Sequence, residues 1–216
     1  FHIEKFIMRI RITFSKQGAL RYSGHLDLHR LWERAARRAD LPLAYSKGFH
    51  PQPKINLAAA LPLGFSSRCE VMDMKFEIDI SLGDLPARLQ TSLPPDIQVL
   101  KVEQVNDNAP ALQTQVDSAE YEVTLTESVI GSELERKIAS VMESTSLPRE
   151  RRGKPYDLRP LIRELKLASE TTIFMHLLAR ENTTGRPEEV LDILGIKFEG
   201  TRIERSRLLF MAESLQ

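Results

Sequence analysis

Between residues 8 and 16 the apolar Met8, Ile10, Ile12 and Phe14 alternate with Arg9, Arg11 and Thr13, a period of two that predicts a strand with one face buried. From residue 28 the period changes. Leu28, Leu31, Trp32, Ala35 and Ala39 recur at three- and four-residue spacings, so one apolar stripe runs along a helix. Ser23 and Gly24 can cap its start, and Asp27 in the first turn suits the positive end of the helix dipole. A mostly apolar run at 55–63, closed by Pro62 and Gly64, predicts a second strand, and the alternation of Val71, Met72, Met74, Phe76 and Ile78 over 71–80 a third. Leu85 and Leu89 mark the inner side of a short helix at 84–92, and residues 97–105 alternate once more after Pro94 and Pro95.

Residues 106–118, rich in Asn, Asp, Gln and Pro with little to bury, are expected as a linker. Beyond it the pattern returns: a strand at 121–126, then a helix at 132–144 with Leu134, Ile138 and Val141 inward. A basic stretch leads into 158–168, followed by a strand at 171–180, a short helix at 187–194 and a closing strand within 198–210. The order β-α-β-β-α-β therefore occurs twice. It predicts an α+β protein of two tandem ferredoxin-like antiparallel sheets, each with its helices on one face, in domains at 8–105 and 119–216. The length, 216 residues, accommodates two cores. Residues 1–7 precede Met8 and are expected as a remnant or an upstream extension, so they are set aside.

Composition changes the picture only through its distribution. The chain carries 30 basic and 30 acidic residues, yet residues 1–54 hold 11 Lys/Arg against 4 Asp/Glu and residues 55–130 hold 4 against 12. A basic front and an acidic flank suit a chain that meets a nucleic acid on one side. The single cysteine, Cys69, excludes an internal disulfide and a cysteine-rich metal or iron–sulfur site within these residues. No apolar run approaches the roughly 18 residues of a membrane helix, and the amino terminus lacks a signal peptide's apolar region, so the expectation is cytoplasmic.

The basic residues fall into two clusters. Arg30, Arg34, Arg37 and Arg38 lie at offsets of four, seven and eight residues, which puts them on the helix face opposite the apolar stripe. The next segment, from Tyr45 to Lys54, displays Lys47, Phe49, His50, Gln52 and Lys54: Gly48 permits a positive φ, while Pro51 and Pro53 hold Gln52 extended. An aromatic ring beside polar tips can stack a base and touch a phosphate. The second cluster is Arg149, Arg151, Arg152, Lys154, Arg159, Arg163 and Lys166, interrupted by Glu150, Asp157 and Glu164; Gly153 and Pro155 are expected to keep its first part out of regular structure, free to follow an RNA backbone. A solvated helix face and an irregular, salt-bridged loop are the plain alternatives for the two clusters.

Catalytic chemistry finds little support. His25 and Asp27 could orient one another at the helix start and His50 could join them as a general acid or base, but His2, His29 and His176 are too scattered to add a metal site. There is no glycine-rich phosphate loop and no Gly-x-Ser-x-Gly elbow, and no cofactor is expected of the chain itself.

Three stretches carry a resemblance: Tyr22-Ser23-Gly24-His25-Leu26-Asp27, the run from Leu41-Pro42-Leu43 through Tyr45-Ser46-Lys47-Gly48-Phe49-His50-Pro51-Gln52-Pro53-Lys54, and Leu61-Pro62-Leu63-Gly64. With Asp157-Leu158-Arg159-Pro160 as a second motif, the chain resembles the bacterial radical SAM-linked protein family, a domain of unknown function. Members of that family are fused to, or encoded beside, a radical SAM protein, often near a ribonuclease of the E/G type. The resemblance implies a radical SAM partner that supplies any iron–sulfur chemistry, since the three-cysteine cluster motif is missing here. The tandem fold is also reminiscent of Cas6-like RNA-processing proteins, in which a basic groove between two such folds holds RNA, an analogy of fold alone. The expected function is a non-catalytic accessory protein that binds tRNA or ribosomal RNA and presents it to the radical SAM partner. The alternatives are a metal-independent endoribonuclease using His25 or His50, and a docking module for the radical SAM enzyme that never touches RNA.

Overall fold

Strand β1, Met8–Lys16, is the strand around which the first half of the chain is laid. In the computed structural model, which describes residues 8–126 and 131–211, it pairs antiparallel with β3, Ser66–Phe76, on one side and with β4, Ile97–Val105, on the other. The short β2, Ile55–Leu57, adds to the far edge of β3, giving the order β2-β3-β1-β4. Two helices, α1 (His25–Arg38) and α2 (Leu85–Ser92), bury Leu28, Trp32, Ala36, Leu85 and Leu89 in the same core as Ile10, Ile12, Phe14, Met72, Met74 and Phe76. The core side chains of β1 are its even-numbered ones, so both helices cover one face of the sheet. Trp32 sets its ring edge-on to Phe14, with centroids 4.8 Å apart.

The opposite face of β1 is closed by charge. Asp73, 1% exposed, accepts from Arg9 Nε at 2.9 Å and Nη2 at 2.5 Å and from Arg11 Nε at 2.8 Å. Arg9 also donates to the carbonyls of Ala109 (2.7 Å) and Pro110 (2.9 Å). One buried carboxylate thus serves two guanidiniums, that of Arg9 buried with it and that of Arg11 half-buried beside it. Buried polar residues also explain why β3 starts at Ser66, five residues before the expected start: Ser67, Glu70 and Asp73 all point into protein. Conversely β2 stops at Leu57, because the chain bends through Pro62 and a left-handed Gly64 (φ 87°) before β3.

The chain divides into two compact units between Gln115 and Val116. The segment expected as a linker over 106–118 is structured at its end: a 3-10 turn over Leu112–Gln115 buries Leu112, and Val116–Ser118 opens β5, Val116–Leu125. In the second unit β5 lies between β9, Thr172–Arg180, and β11, Thr201–Phe210, and β8, Ile162–Ser169, pairs with the far edge of β9. All these pairings are antiparallel. A two-residue β10, Thr183–Thr184, folds back on the end of β9. Helix α3, Gly131–Glu143, buries Leu134, Ile138 and Val141; α4, Pro187–Leu194, starts on a proline and stops at Gly195, whose φ of 73° suits a helix end.

One expectation is overturned between α3 and β8. Residues 148–157 are not irregular: β6, Pro148–Arg151, and β7, Lys154–Asp157, form a separate hairpin. Its turn residues Arg152 (φ 52°) and Gly153 (φ 76°) are both left-handed, the geometry that matches the twist of paired strands, and Pro155 is tolerated because the ribbon has only two strands. The result is a mixed α/β protein with antiparallel sheets and four helices among the described residues. None of these helices is long and apolar enough to cross a membrane. Residues 1–7 lie outside the described residues.

Candidate nucleic-acid interface

Helix α1 fixes the first basic cluster. Its start is set by Asp27, whose Oδ2 accepts from the Gly24 N–H at 3.2 Å. With Leu28, Trp32, Ala35 and Ala36 buried, Arg30, Arg34, Arg37 and Arg38 are all exposed. They are not equivalent. Arg37 is held by Glu33 one turn back (2.6 Å) and by the Tyr45 hydroxyl, and Arg38 Nη1 donates to the Ser92 carbonyl at 2.9 Å. Arg30 and Arg34 make no ion pair among the described residues.

Arg30, Arg34 and Arg38 line one wall of a groove of about 450 Å³. The other wall is the end of α2 and the chain after it, Thr91, Ser92, Leu93 and Pro94, with Leu20, Leu31, Ser23 and Asp27 completing it. The spacing of the arginines was legible from the sequence, whereas the facing wall was not. Helical periodicity says which face a residue occupies and nothing about which helix lies opposite.

The segment after α1 folds into a tied loop. Tyr45 bridges to Pro53, Ser46 N–H donates to Gln52 O at 2.8 Å, and Gln52 N–H donates to Ser46 Oγ at 2.9 Å. Lys54 N–H donates to Ala44 O, and Lys75 N–H to Lys54 O, so the base of the loop is part of the sheet. At its tip Lys47, Phe49 and His50 are exposed, together with Gln52, while Lys54 is half-buried. Phe49 is 102% exposed beside Gly48, whose φ is 131°. A ring projected this far from the protein by a braced loop contributes nothing to the core.

The second basic cluster is engaged within its own unit. Arg149 pairs with Asp192, and Arg151 pairs with Glu189 (2.5 Å) while its guanidinium also reaches Thr184 O and lies over the Tyr156 ring. Arg159 spends all three guanidinium nitrogens on backbone carbonyls, those of Met142, Ser144 and Ile162, which satisfies acceptors at the end of α3. Asp157 accepts from the Leu147 and Arg159 N–H groups, and these bonds hold its carboxyl below its ordinary pKa. Arg163 pairs with Asp117, and Lys166 with Glu164. Only Arg152 and Lys154, around the hairpin turn, are exposed without an ion pair among the described residues.

No three of the described histidines are grouped to hold a metal ion. His25 and His50 are exposed, and His29 Nε2 lies 3.2 Å from the Ile55 carbonyl. His176 Nε2 is 2.9 Å from Ser118 Oγ. A serine beside a histidine is the start of a nucleophilic dyad, but Ser118 is fully buried and its single hydroxyl proton goes to Asp117 Oδ2 at 3.1 Å. With that proton on Asp117, Nε2 donates to Ser118 and has no lone pair with which to take it, and in either tautomer the buried hydroxyl is closed off from a substrate. Burial, with Arg163 adding, pushes the His176 pKa below its ordinary value. Among the described residues no group of three or more His, Cys, Asp or Glu is placed to hold a metal ion.

These features define a mixed α/β protein with an arginine-lined groove in its first unit. The chain belongs to a bacterial family, domain of unknown function 2344, described as an uncharacterized protein conserved in bacteria, whose sequence model matches residues 9–187. No curated protein matches. Among solved structures, a chain from the crystal structure of a Cbf5-Nop10-Gar1 complex is similar at 9% identity and a TM-score of 0.46, over 92% of this chain and 48% of its own. This chain therefore spans about half the length of that one.

Proposed function

We propose that this protein is a non-catalytic RNA-binding accessory protein that presents tRNA or ribosomal RNA to a radical SAM partner. The observation that carries the RNA part is the groove along α1, where Arg30 and Arg34 hold their charge without an ion pair among the described residues. Arginines that brace no fold contact are the ones able to release counterions from a phosphate backbone. The projecting Phe49 supplies a stacking surface of the kind single-stranded RNA uses. The partner comes from the sequence resemblance around 22–64 and 157–160. The strand order β2-β3-β1-β4, repeated as β8-β9-β5-β11, supports reading each unit as ferredoxin-like.

The test is equilibrium binding of the purified protein to total tRNA and to ribosomal RNA fragments at several salt concentrations, with the RNA run on a denaturing gel afterwards. Tight, salt-sensitive binding of intact RNA is expected. Cut RNA would favour an endoribonuclease using His25 or His50. No binding at low salt would overturn the RNA reading and leave a protein-docking module.

A further inference from the structure

We infer that the groove between α1 and the end of α2 takes one unstacked guanine nucleotide of an RNA strand. The inference rests on the RNA-binding reading and adds which base the groove selects. Its volume of about 450 Å³ is within the range of small-ligand sites. Leu20, Leu31, Leu93 and Pro94 give it an apolar part on which a base can shed water. Arg30, Arg34 and Arg38 follow one another every four residues, so their stems rise by about 6 Å per step along one wall; Arg30 and Arg34 offer all their donors to phosphate oxygens, and Arg38 those not spent on the Ser92 carbonyl.

The remaining polar groups have the opposite character. Asp27 makes no ion pair among the described residues; of the roughly four lone-pair positions on a carboxylate, one is taken by the Gly24 N–H. Ser23 Oγ already donates to Leu20 O (2.6 Å) and Thr91 Oγ1 to Ala87 O (2.8 Å), so these two lining residues have only acceptor capacity left on their hydroxyls. A ligand that suits the groove is anionic along the arginine row of α1 and a hydrogen-bond donor at the Asp27 end of the same helix. Among the bases, guanine alone presents two adjacent donors, N1–H and the N2 amine, to match the two oxygens of one carboxylate. Adenine and cytosine each set an acceptor beside their amine, and uracil flanks its single N–H with two carbonyls; these lone pairs would face Asp27.

The experiment measures binding of labelled seven-nucleotide uridine strands carrying guanosine, inosine, adenosine or uridine at the centre. Inosine is guanosine without the N2 amine. The expected result is tightest binding with guanosine and roughly tenfold weaker binding with inosine, the loss of one hydrogen bond to a charged group. Asp27→Asn, which keeps an acceptor for the Gly24 N–H, removes the preference for guanosine over inosine, whereas Arg34→Ala weakens all four strands alike; thermal melting confirms that both variants fold. Equal affinity of the native protein for all four strands overturns the base assignment and leaves the RNA reading intact. No binding of any strand overturns both. Unlabelled GMP that competes as well as the unlabelled guanosine strand would keep guanine as the ligand, name a free nucleotide as its source, and overturn the RNA reading.

Discussion

Replacing Arg30 and Arg34 together by alanine is the most direct challenge to the RNA reading, because neither side chain helps to hold the fold. Both are exposed, and neither makes an ion pair among the described residues, in contrast to Arg37 with Glu33 or Arg151 with Glu189. The double change should therefore leave the melting temperature within a degree or two of the native protein, surface substitutions of this kind staying within about 0.5 kcal/mol. Each phosphate contact contributes about 0.7 to the slope of log K against log salt on a single strand and about 0.9 on a duplex. Two lost contacts lower the slope by about 1.4 to 1.8. Over the fourfold range from about 50 to 200 mM salt, the native protein should then lose about seven- to twelvefold more affinity than the variant. Fluorescence anisotropy with labelled tRNA at four salt concentrations measures both slopes. Arg149→Ala serves as a comparison, since its guanidinium is paired with Asp192. A slope unchanged in the Arg30/Arg34 variant, with the fold intact, would refute the assignment of this ridge to phosphate contact.

Other consequences are equally open to measurement. Phe49→Ala should leave stability untouched, because the ring is fully exposed, and should weaken single-stranded RNA binding by about 1–3 kcal/mol in a titration. Asp73→Ala should lower unfolding free energy by about 3–5 kcal/mol in a urea titration, since it strands the buried Arg9 guanidinium, 4% exposed, without its carboxylate. His176 has its pKa lowered by burial and Arg163, against the pull of Glu120, Glu164 and Asp117. Between that lowered value and the ordinary 6.5 the unfolded chain binds more protons, so stability should fall as pH drops from 6.5 through this window. Thermal melts of His176→Asn should be flatter over the same range. Gly153→Ala places a Cβ at φ 76° in the β6–β7 turn and should destabilise that hairpin by about 1–2 kcal/mol, seen as faster amide exchange over 148–157.

What the sequence revealed depended on whether the deciding contacts were local. The apolar stripe of α1 and the alternation of β1 and β4 are periodicities internal to one element, and their bounds agree closely with the structure. The start of β3 was hidden because Ser67, Glu70 and Asp73 read as surface residues but are buried. The β6–β7 hairpin was hidden for a related reason: Gly153 and Pro155 usually interrupt structure, and here they serve a tight turn and an edge strand. The basic clusters show the same limit. Around 149–166 only the nearby acids Glu150, Asp157 and Glu164 could be weighed, while the acids that engage Arg149 and Arg151 come from α4, about forty residues on, and the partners of Arg159 are backbone carbonyls. On α1, by contrast, the shared face of the four arginines follows from their spacing, while their unequal engagement by Glu33, Tyr45 and Ser92 and the wall opposite them required the fold.

The bonds of Arg9 bear on when the first unit can finish folding during synthesis. Its guanidinium finds Asp73 64 residues later and the carbonyls of Ala109 and Pro110 only 100 and 101 residues later. A nascent chain that has emerged only as far as β4 carries all four strands and both helices of the first unit, yet leaves to water the Arg9 donors that the Ala109 and Pro110 carbonyls later take. The first unit should therefore lock only when the polar segment after β4 has left the ribosome, and a fragment ending at Val105 should be looser than one ending at Gln115 by more than its ten missing residues would suggest.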